Sequence, residues 1–317
     1  MGREINQRKA AIIGCGFVGS ATAFTLMQSQ LFSELVLVDV DFDKADGEAK
    51  DIAHGIPFAG QMKIHAGVYE DLSDAAIIIV TAGAGQKPGE TRLDLVHKNV
   101  AIYESIIPRI AEQNKDAILL IVSNPVDILT YTALKLSGYP ENRVLGSGTV
   151  LDTARLKYAL GEHLSVDSRS VHSFIIGEHG DSEMIPWSTV RIGGKDIYSV
   201  VRDNEARIGK DPYDEMKAET IKAGWEIFNR KGNTCYGIAS STVGIVKTIL
   251  HNENRILPVS TLLQGEYGHD DLYISVPTII DRTGAKEIVE LDMTDEEFKE
   301  FNQSCEHLKS FYECLDD

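Results

Sequence analysis

A glycine turn near the start of the chain constrains its fold more than any other feature. Lys9 to Ile13 is a short apolar run that leads into Gly14-Cys15-Gly16-Phe17-Val18-Gly19 and then a helical stretch, Ser20 to Gln30. Strand, G-x-G-x-x-G and helix in that order predict the opening unit of a doubly wound parallel sheet that binds a dinucleotide. Gly14 allows the tight turn, Gly16 lets backbone approach a pyrophosphate, and Gly19 lets the helix pack close. Phe17 and Val18 lie between them, where the phosphates meet a helix N-terminus. A second apolar run, Leu35 to Val38, ends in Asp39, which lies 20 residues beyond Gly19. Its carboxylate suits the hydroxyls of an adenosine ribose and would repel a phosphate on that ribose. Val40, Asp41 and Asp43 supply no arginine to neutralise one, so NAD is expected rather than NADP. A purely structural strand, turn and helix is the alternative.

Strand and helix periods continue to alternate through the first half: Ala76 to Val80, a helix from about Leu93 to Asn114, Ile118 to Val122, a helix from about Asp127 to Leu136. This pattern predicts parallel strands with crossover helices, in which ligands sit at the carboxyl ends of the strands. Thr81-Ala82-Gly83 and Ser123-Asn124-Pro125 occupy those ends and are candidate cofactor contacts. Asn124 before Pro125 also suits a plain turn. Between Val80 and the next helix, Ala82 to Arg92 holds three glycines and a proline. Such a segment is either a loose surface connection or a lid that closes over bound ligands, expels water and delivers the charge of Arg92.

Two strings further on carry acid/base chemistry. Leu151-Asp152-Thr153-Ala154-Arg155 lies in a helical run, Asp152 to Gly161, so Asp152 and Arg155 share a helix face. Gly177-Glu178-His179-Gly180-Asp181-Ser182-Glu183 follows a strand-like run, Val171 to Ile176, and its glycines allow a sharp turn that leaves the His179 ring exposed. Taken singly, Asp152 suits a helix cap, Arg155 a surface ion pair and His179 a loop. Together they offer a carboxylate, a guanidinium and an imidazole to a bound anion.

The second half is expected to be α+β, with a soft boundary near Ser147 that divides the chain into 1–147 and 148–317. Helices are predicted around Asp211 to Arg230 and Gly237 to His251, and a strand at Tyr273 to Ile280. Thr294 and Glu297 form a capping box before a stripe of Phe298, Phe301, Cys305, Leu308, Phe311 and Leu315. A net charge of −17 over 317 residues excludes nucleic acid and anionic membrane as natural partners. Cys15, Cys235, Cys305 and Cys314 have no metal or disulfide spacing and read as free thiols in a reducing compartment. No apolar segment near the start reads as a signal, so a cytoplasmic location is expected, with no metal.

The glycine fingerprint with Asp39, G-Q-K-P-G-E-T-R from Gly85, S-N-P-V-D from Ser123, L-D-T-A-R and G-E-H-G-D-S-E together resemble the lactate/malate dehydrogenase family, from about Lys9 to the C-terminal helix. The resemblance implies a Rossmann domain followed by a substrate domain, NAD as cofactor, a 2-hydroxy acid as substrate and a homotetramer. It implies that His179 exchanges a proton with the substrate oxygen, Asp152 orients and steadies its ring, Arg155 grips the substrate carboxylate and Arg92 polarises the carbonyl. Asn124 would contact both substrate and nicotinamide ribose; Thr234 and Ile238 would line the methyl pocket and the nicotinamide face.

In malate-specific members the residue before Lys-Pro-Gly is typically arginine, which pairs with the second carboxylate of oxaloacetate. Here it is Gln86, so pyruvate and L-lactate, as in the bacterial lactate branch, are the expected substrates. Bisphosphate-activated bacterial relatives carry arginine and histidine where this chain has Lys157 and His172. Lys157 lies about 200° round the helix from Arg155 and so points away from the pocket. Fructose 1,6-bisphosphate is therefore a candidate effector, against a plain solvated lysine and surface histidine. A malate or branched 2-oxo acid enzyme and a non-catalytic NAD-binding protein are the rival readings, the latter opposed by the joint presence of His179, Asp152, Arg155 and Arg92.

Overall fold

The computed structural model describes residues 4–85, 89 and 91–313, without the side chains of residues 92 and 313. β1 (Asn6–Ile13) leads into α1 (Phe17–Ser29), followed by β2 (Glu34–Val38), α2 (Phe42–Ala53), β3 (Lys63–Ala66) and β4 (Ala75–Val80). Then come α3 (Arg92–Gln113), β5 (Ile118–Ile121), α4 (Val126–Ser137), β6 (Val144–Gly146) and α5 (Val150–Leu164). The second half has three two-residue strands, β7 (Val171–His172), β8 (Arg191–Ile192) and β9 (Lys195–Asp196), and the helices α6 (Ile197–Asp203), α7 (Glu205–Ile208), α8 (Tyr213–Lys231) and α9 (Tyr236–Leu250). It closes with β10 (Arg255–Gln264), β11 (Asp270–Asp281), β12 (Gly284–Ile288) and α10 (Asp295–Glu313).

The main sheet runs β12-β11-β10-β6-β5-β4-β1-β2-β3. Its β3-β2-β1-β4-β5-β6 portion is parallel throughout, and the strand order reverses between β1 and β4. Ligands of open parallel sheets bind at such a reversal, beyond the carboxyl ends of the strands. The central strands β4 and β5 and the second half of β1, buried on both faces, are apolar, whereas the edge strand β3 has no buried residue. Alternate residues serve opposite cores: Ala10, Ile12, Ile77 and Ile79 pack with Leu26 of α1 and Val246 of α9, whereas Ala11, Ile13, Ile78 and Val80 pack with Tyr103 of α3 and Leu129 of α4.

Several expectations needed correction. Helix α1 begins at Phe17 rather than Ser20, because the extended Gly16 is its N-cap and Gly19 already lies inside the helix. The run Val171 to Ile176 is not one strand: β7 stops at His172, and Ile175 N donates to Thr153 Oγ1 of α5 at 2.8 Å instead of to a strand. The second half has the expected α+β character: β10, β11 and β12 extend the main sheet in antiparallel fashion through Ser260 against Gly146, and β7, β8 and β9 form a small sheet of their own. Strand β10 escaped notice because Pro258 interrupts its apolar run; in the fold Pro258 stands opposite Pro277 of β11. The Thr294–Glu297 capping box forms, with Thr294 N donating to Glu297 and Glu297 N donating to Thr294 Oγ1. Phe301, Cys305 and Leu308 of the stripe are buried and Phe298 lies at its exposed edge, while Leu315 and Cys314 fall outside the described residues.

Candidate active site

The nucleotide end is shaped by backbone. Gly14 has φ +103°, and a Cβ there would lie 2.6 Å from Ala82 N, so the turn after β1 and the loop after β4 touch main chain to main chain. A Cβ on Gly19 would fall 1.9 Å from Gly14 O, which lets α1 approach its own strand only as glycine. Gly16 differs: its Cβ would meet nothing within 4 Å, so the protein leaves space in front of it. Thr81 Oγ1 donates to Gly14 O at 2.8 Å, and the Asp39 carboxylate accepts from Cys15 N at 2.6 Å and Asp41 N at 3.0 Å. Asp39 thus stands at the end of β2 beside the glycine turn, half-buried. Open backbone, a helix N-terminus and a carboxylate one strand away fit an adenine dinucleotide; Phe17 is exposed and Val18 half-buried at the same end.

Across the strand reversal, Ser123 Oγ donates to Ala82 O at 2.7 Å. Asn124, exposed and followed by a cis peptide bond to Pro125, sits at the carboxyl end of the sheet after β5. Asn99 of α3, fully buried, ties this end together: its Nδ2 donates to Asn124 O at 2.8 Å and its Oδ1 accepts from Ala84 N at 2.7 Å. That clamp next to Gly83 was not foreseen, because a single asparagine inside a helical period carries no signal. The lid residue Gln86 lies outside the described residues. Arg92 opens α3 behind the N-cap Thr91, and its side chain lies outside them too.

Three of the four catalytic candidates, Asp152, Arg155 and His179, lie together. Asp152, in the first turns of α5 and with only 3% of its side chain exposed, accepts from Arg155 Nη1 at 2.7 Å through one oxygen and bonds His179 Nδ1 at 2.7 Å through the other. The expectation of an exposed imidazole needs correcting, for a quarter of the His179 side chain remains accessible. The turn that carries it is closed by the bridge between Ile176 and Met184, whose N–H groups donate to each other's carbonyls at 3.0 and 2.9 Å. From α4, the buried Asp127 accepts from His179 N at 2.8 Å, fixing the backbone of the same residue. Asp127 and Glu183 were both missed as neighbours of the imidazole, since only the fold brings α4 and the far end of the turn against it.

Burial alone would raise the Asp152 carboxyl, but the charges and hydrogen bonds of His179 and Arg155 hold it below its ordinary range. Burial alone would lower the His179 imidazole; the charge and hydrogen bond of Asp152, then Glu183 and Asp127, carry it up to about 9. With Nδ1 bonded to Asp152, Nε2 is the nitrogen left to face a ligand. Arg155 also lies against α8, where a Cβ on Gly224 would be 3.5 Å from its Nη2. Thr234 precedes α9 and Ile238 lies in its first turn, both half-buried, with Ile238 against the core that contains α1. Lys157 is half-buried, and burial with the nearby charge of Arg255 pulls its ammonium down. His172 is exposed on β7, opposite Arg191 of β8.

A dinucleotide cradle at the sheet reversal and an imidazole–carboxylate–guanidinium cluster fit an NAD-dependent oxidoreductase, and comparison with known proteins shows that class. Residues 8–146 match the lactate/malate dehydrogenase NAD binding domain, and residues 149–316 match the alpha/beta C-terminal domain of the same enzymes. The chain belongs to the lactate/malate dehydrogenase family. It is 49% identical over 301 residues to an L-lactate dehydrogenase of Clostridium perfringens, with 95% of each chain covered. It is 50% identical over 303 residues to an L-lactate dehydrogenase of Priestia megaterium, again with 95% of each covered. A crystal structure of a minor L-lactate dehydrogenase from Enterococcus mundtii matches it with a TM-score of 0.94 at 43% identity, covering 97% of this chain and 98% of that one.

Proposed function

We propose that the protein interconverts pyruvate and L-lactate, with residues 1–147 holding NAD and residues 148–317 the substrate. The observation that carries this reading is one buried carboxylate, Asp152, bridging an imidazole and a guanidinium at 2.7 Å each. Bound NADH supplies the hydride that reaches the carbonyl carbon. His179 holds a proton at Nε2 for the carbonyl oxygen and takes it back in the reverse direction. Asp152 accepts from Nδ1, which selects the tautomer and offsets the imidazolium charge. A guanidinium has five N–H donors, so the bond from Arg155 Nη1 to Asp152 leaves a pair to grip the substrate carboxylate in parallel. Arg92, delivered by the lid, polarises the carbonyl and steadies the developing alkoxide. Asn124 contacts substrate and nicotinamide ribose, Thr234 and Ile238 line the substrate methyl and the nicotinamide, and Thr81, Ala82, Gly83 and Ser123 border the cofactor.

Gln86 decides the substrate. Under a closed lid it offers no charge to a second carboxylate, which disfavours oxaloacetate by about 3–5 kcal/mol, or on the order of 100-fold or more. The test is the loss of NADH absorbance with pyruvate and then with oxaloacetate, repeated on Gln86→Arg. Preference should move toward oxaloacetate in the variant; identical kinetics on both substrates would refute the pocket assignment.

Assembly and control complete the proposal. A homotetramer is proposed from the family resemblance, with the exposed aromatic side chains of α1 (Phe24), α2 (Phe42) and α8 (Trp225, Phe228) as candidate contacts between copies; sedimentation would test it. Lys157 and His172 are proposed as an effector site for fructose 1,6-bisphosphate; no shift of the pyruvate saturation curve at any pH would remove it. A cytoplasmic location is proposed as well. Among the described residues no helix is long and apolar enough to cross a membrane.

A further inference from the structure

Glu183 takes no part in the reaction as derived so far, although it is buried at the centre of it. One of its carboxyl oxygens, one of Asp152 and a ring nitrogen of His179 all lie within 4.8 Å of one another. The bridge between Ile176 and Met184 fixes the end of the turn that carries it, and Glu183 N donates to Gly180 O at 3.3 Å. Two carboxyl groups that share a site with little water cannot both ionise without a large penalty. Asp152 keeps the charge, because His179 and Arg155 bond to it directly. The groups facing Glu183 are Asp152 and Arg155 from α5, His179 from its own turn, and Lys217 from α8, which pairs with Glu300 of α10; Asp127 of α4 bears on His179 from behind. Burial first, then the charge of Asp152, push the Glu183 carboxyl up to about 8, against the pull of His179, Arg155 and Lys217.

We propose that Glu183 is a positioning residue for charge: it must be an uncharged acid when substrate binds, so that the cluster presents a net positive charge to an anionic 2-oxo acid. With Glu183 neutral, Arg155, His179 and Asp152 sum to one positive charge; with Glu183 ionised the sum is zero. The substrate class rests on the function proposed above, whereas the cluster itself does not. Anion binding on the alkaline side then requires two protons, one on His179 and one on Glu183. Because an ionised Glu183 favours a protonated His179, the two are lost as a coupled pair.

The experiment is the pH dependence of oxamate binding, a non-reacting analogue of pyruvate, to the NADH complex of the whole enzyme. On the alkaline side, the logarithm of the apparent dissociation constant should climb with a limiting slope of about two in the wild type and about one in Glu183→Gln. The slope that survives is the proton of His179. Calorimetry in buffers of different ionisation heat reads the same quantity without a variant, as an uptake exceeding one proton per site on oxamate binding near pH 9. A wild-type uptake that never exceeds one proton, or a Glu183→Gln profile parallel to the wild type, overturns the inference while leaving pyruvate reduction intact. A wild-type enzyme that reduces no 2-oxo acid at any pH overturns the proposed function, and the inference with it.

Discussion

The glycine turn after β1 and the cluster around Asp152 are both required by the proposed chemistry, yet they are built from different materials. At the turn, the decisive quantity is how closely backbone approaches backbone: Gly14 against Ala82, Gly19 against Gly14. In the cluster it is charge out of water. Asp152 lies almost fully buried between His179 and Arg155, with Asp127 and Glu183 pressing on the same imidazole. The contrast teaches that the first region tolerates little change of shape and the second little change of charge. Substitutions that alter one property alone should therefore damage one region and spare the other.

The largest effect is expected from Asp152→Asn, which keeps the shape and removes the charge. An amide can present its NH₂ to His179 and so favour the wrong tautomer, and it cannot offset an imidazolium. The turnover number should fall by about 10³-fold, while NADH binding, followed by fluorescence, stays near the wild-type value. A comparable loss of NADH affinity would break the separation. Arg155→Lys comes next. It retains a positive charge but loses the parallel pair of N–H donors, so kcat/KM for pyruvate should drop by about 100-fold with most of the loss in KM. A change confined to kcat would place the guanidinium elsewhere in the reaction.

The third effect is graded by pH. Reduction needs the imidazolium and oxidation the neutral ring, and the imidazole titrates at about 9. Turnover at saturating pyruvate should therefore hold up to that point and then decline by about tenfold per pH unit, while kcat/KM for lactate rises as pH approaches 9 from below. A reduction profile already falling near pH 6.5, the ordinary histidine range, would mean that Asp152 does not support the ring as its position implies.

The same contrast explains what could be read from the sequence. Strands β1, β2, β4 and β5 were legible because their buried stretches are continuous apolar runs, and the glycine turn because its steric demands lie within a few residues; β3, which has no buried residue, and the three-residue β6 gave no such run. Asp152 and Arg155 were legible as a pair because they are one helical turn apart. Local periodicity could not show that Asp127 holds His179 N, or that Asn99 joins Ala84 to Asn124, since each contact spans a crossover. Strand β10 was obscured by Pro258, and its joining of the main sheet depends on pairing with β6, more than a hundred residues earlier. The run before His179 was misread for the opposite reason: its apolar residues are core, but Thr153 takes the backbone donor that a strand would need.

The smallest expected effect separates the two regions most sharply, and it concerns Gly16. Alanine at Gly14 or Gly19 would collide with main chain, so a loss of cofactor binding there could not be told from a damaged fold. Gly16 has φ −76° and ψ −172°, a backbone conformation that alanine adopts freely, and its Cβ would meet no protein atom within 4 Å. Gly16→Ala should therefore leave the thermal midpoint of the unliganded enzyme unchanged within about 2 °C. If a pyrophosphate fills the space in front of that residue, the added methyl must push against it, and the NADH dissociation constant should rise by about fivefold, equivalent to roughly 1 kcal/mol. The catalytic cluster is untouched, so turnover at saturating NADH should stay close to wild type. Unaltered NADH affinity would mean that the phosphates lie elsewhere along the helix N-terminus, and that the open space at Gly16 belongs to the turn rather than to its ligand.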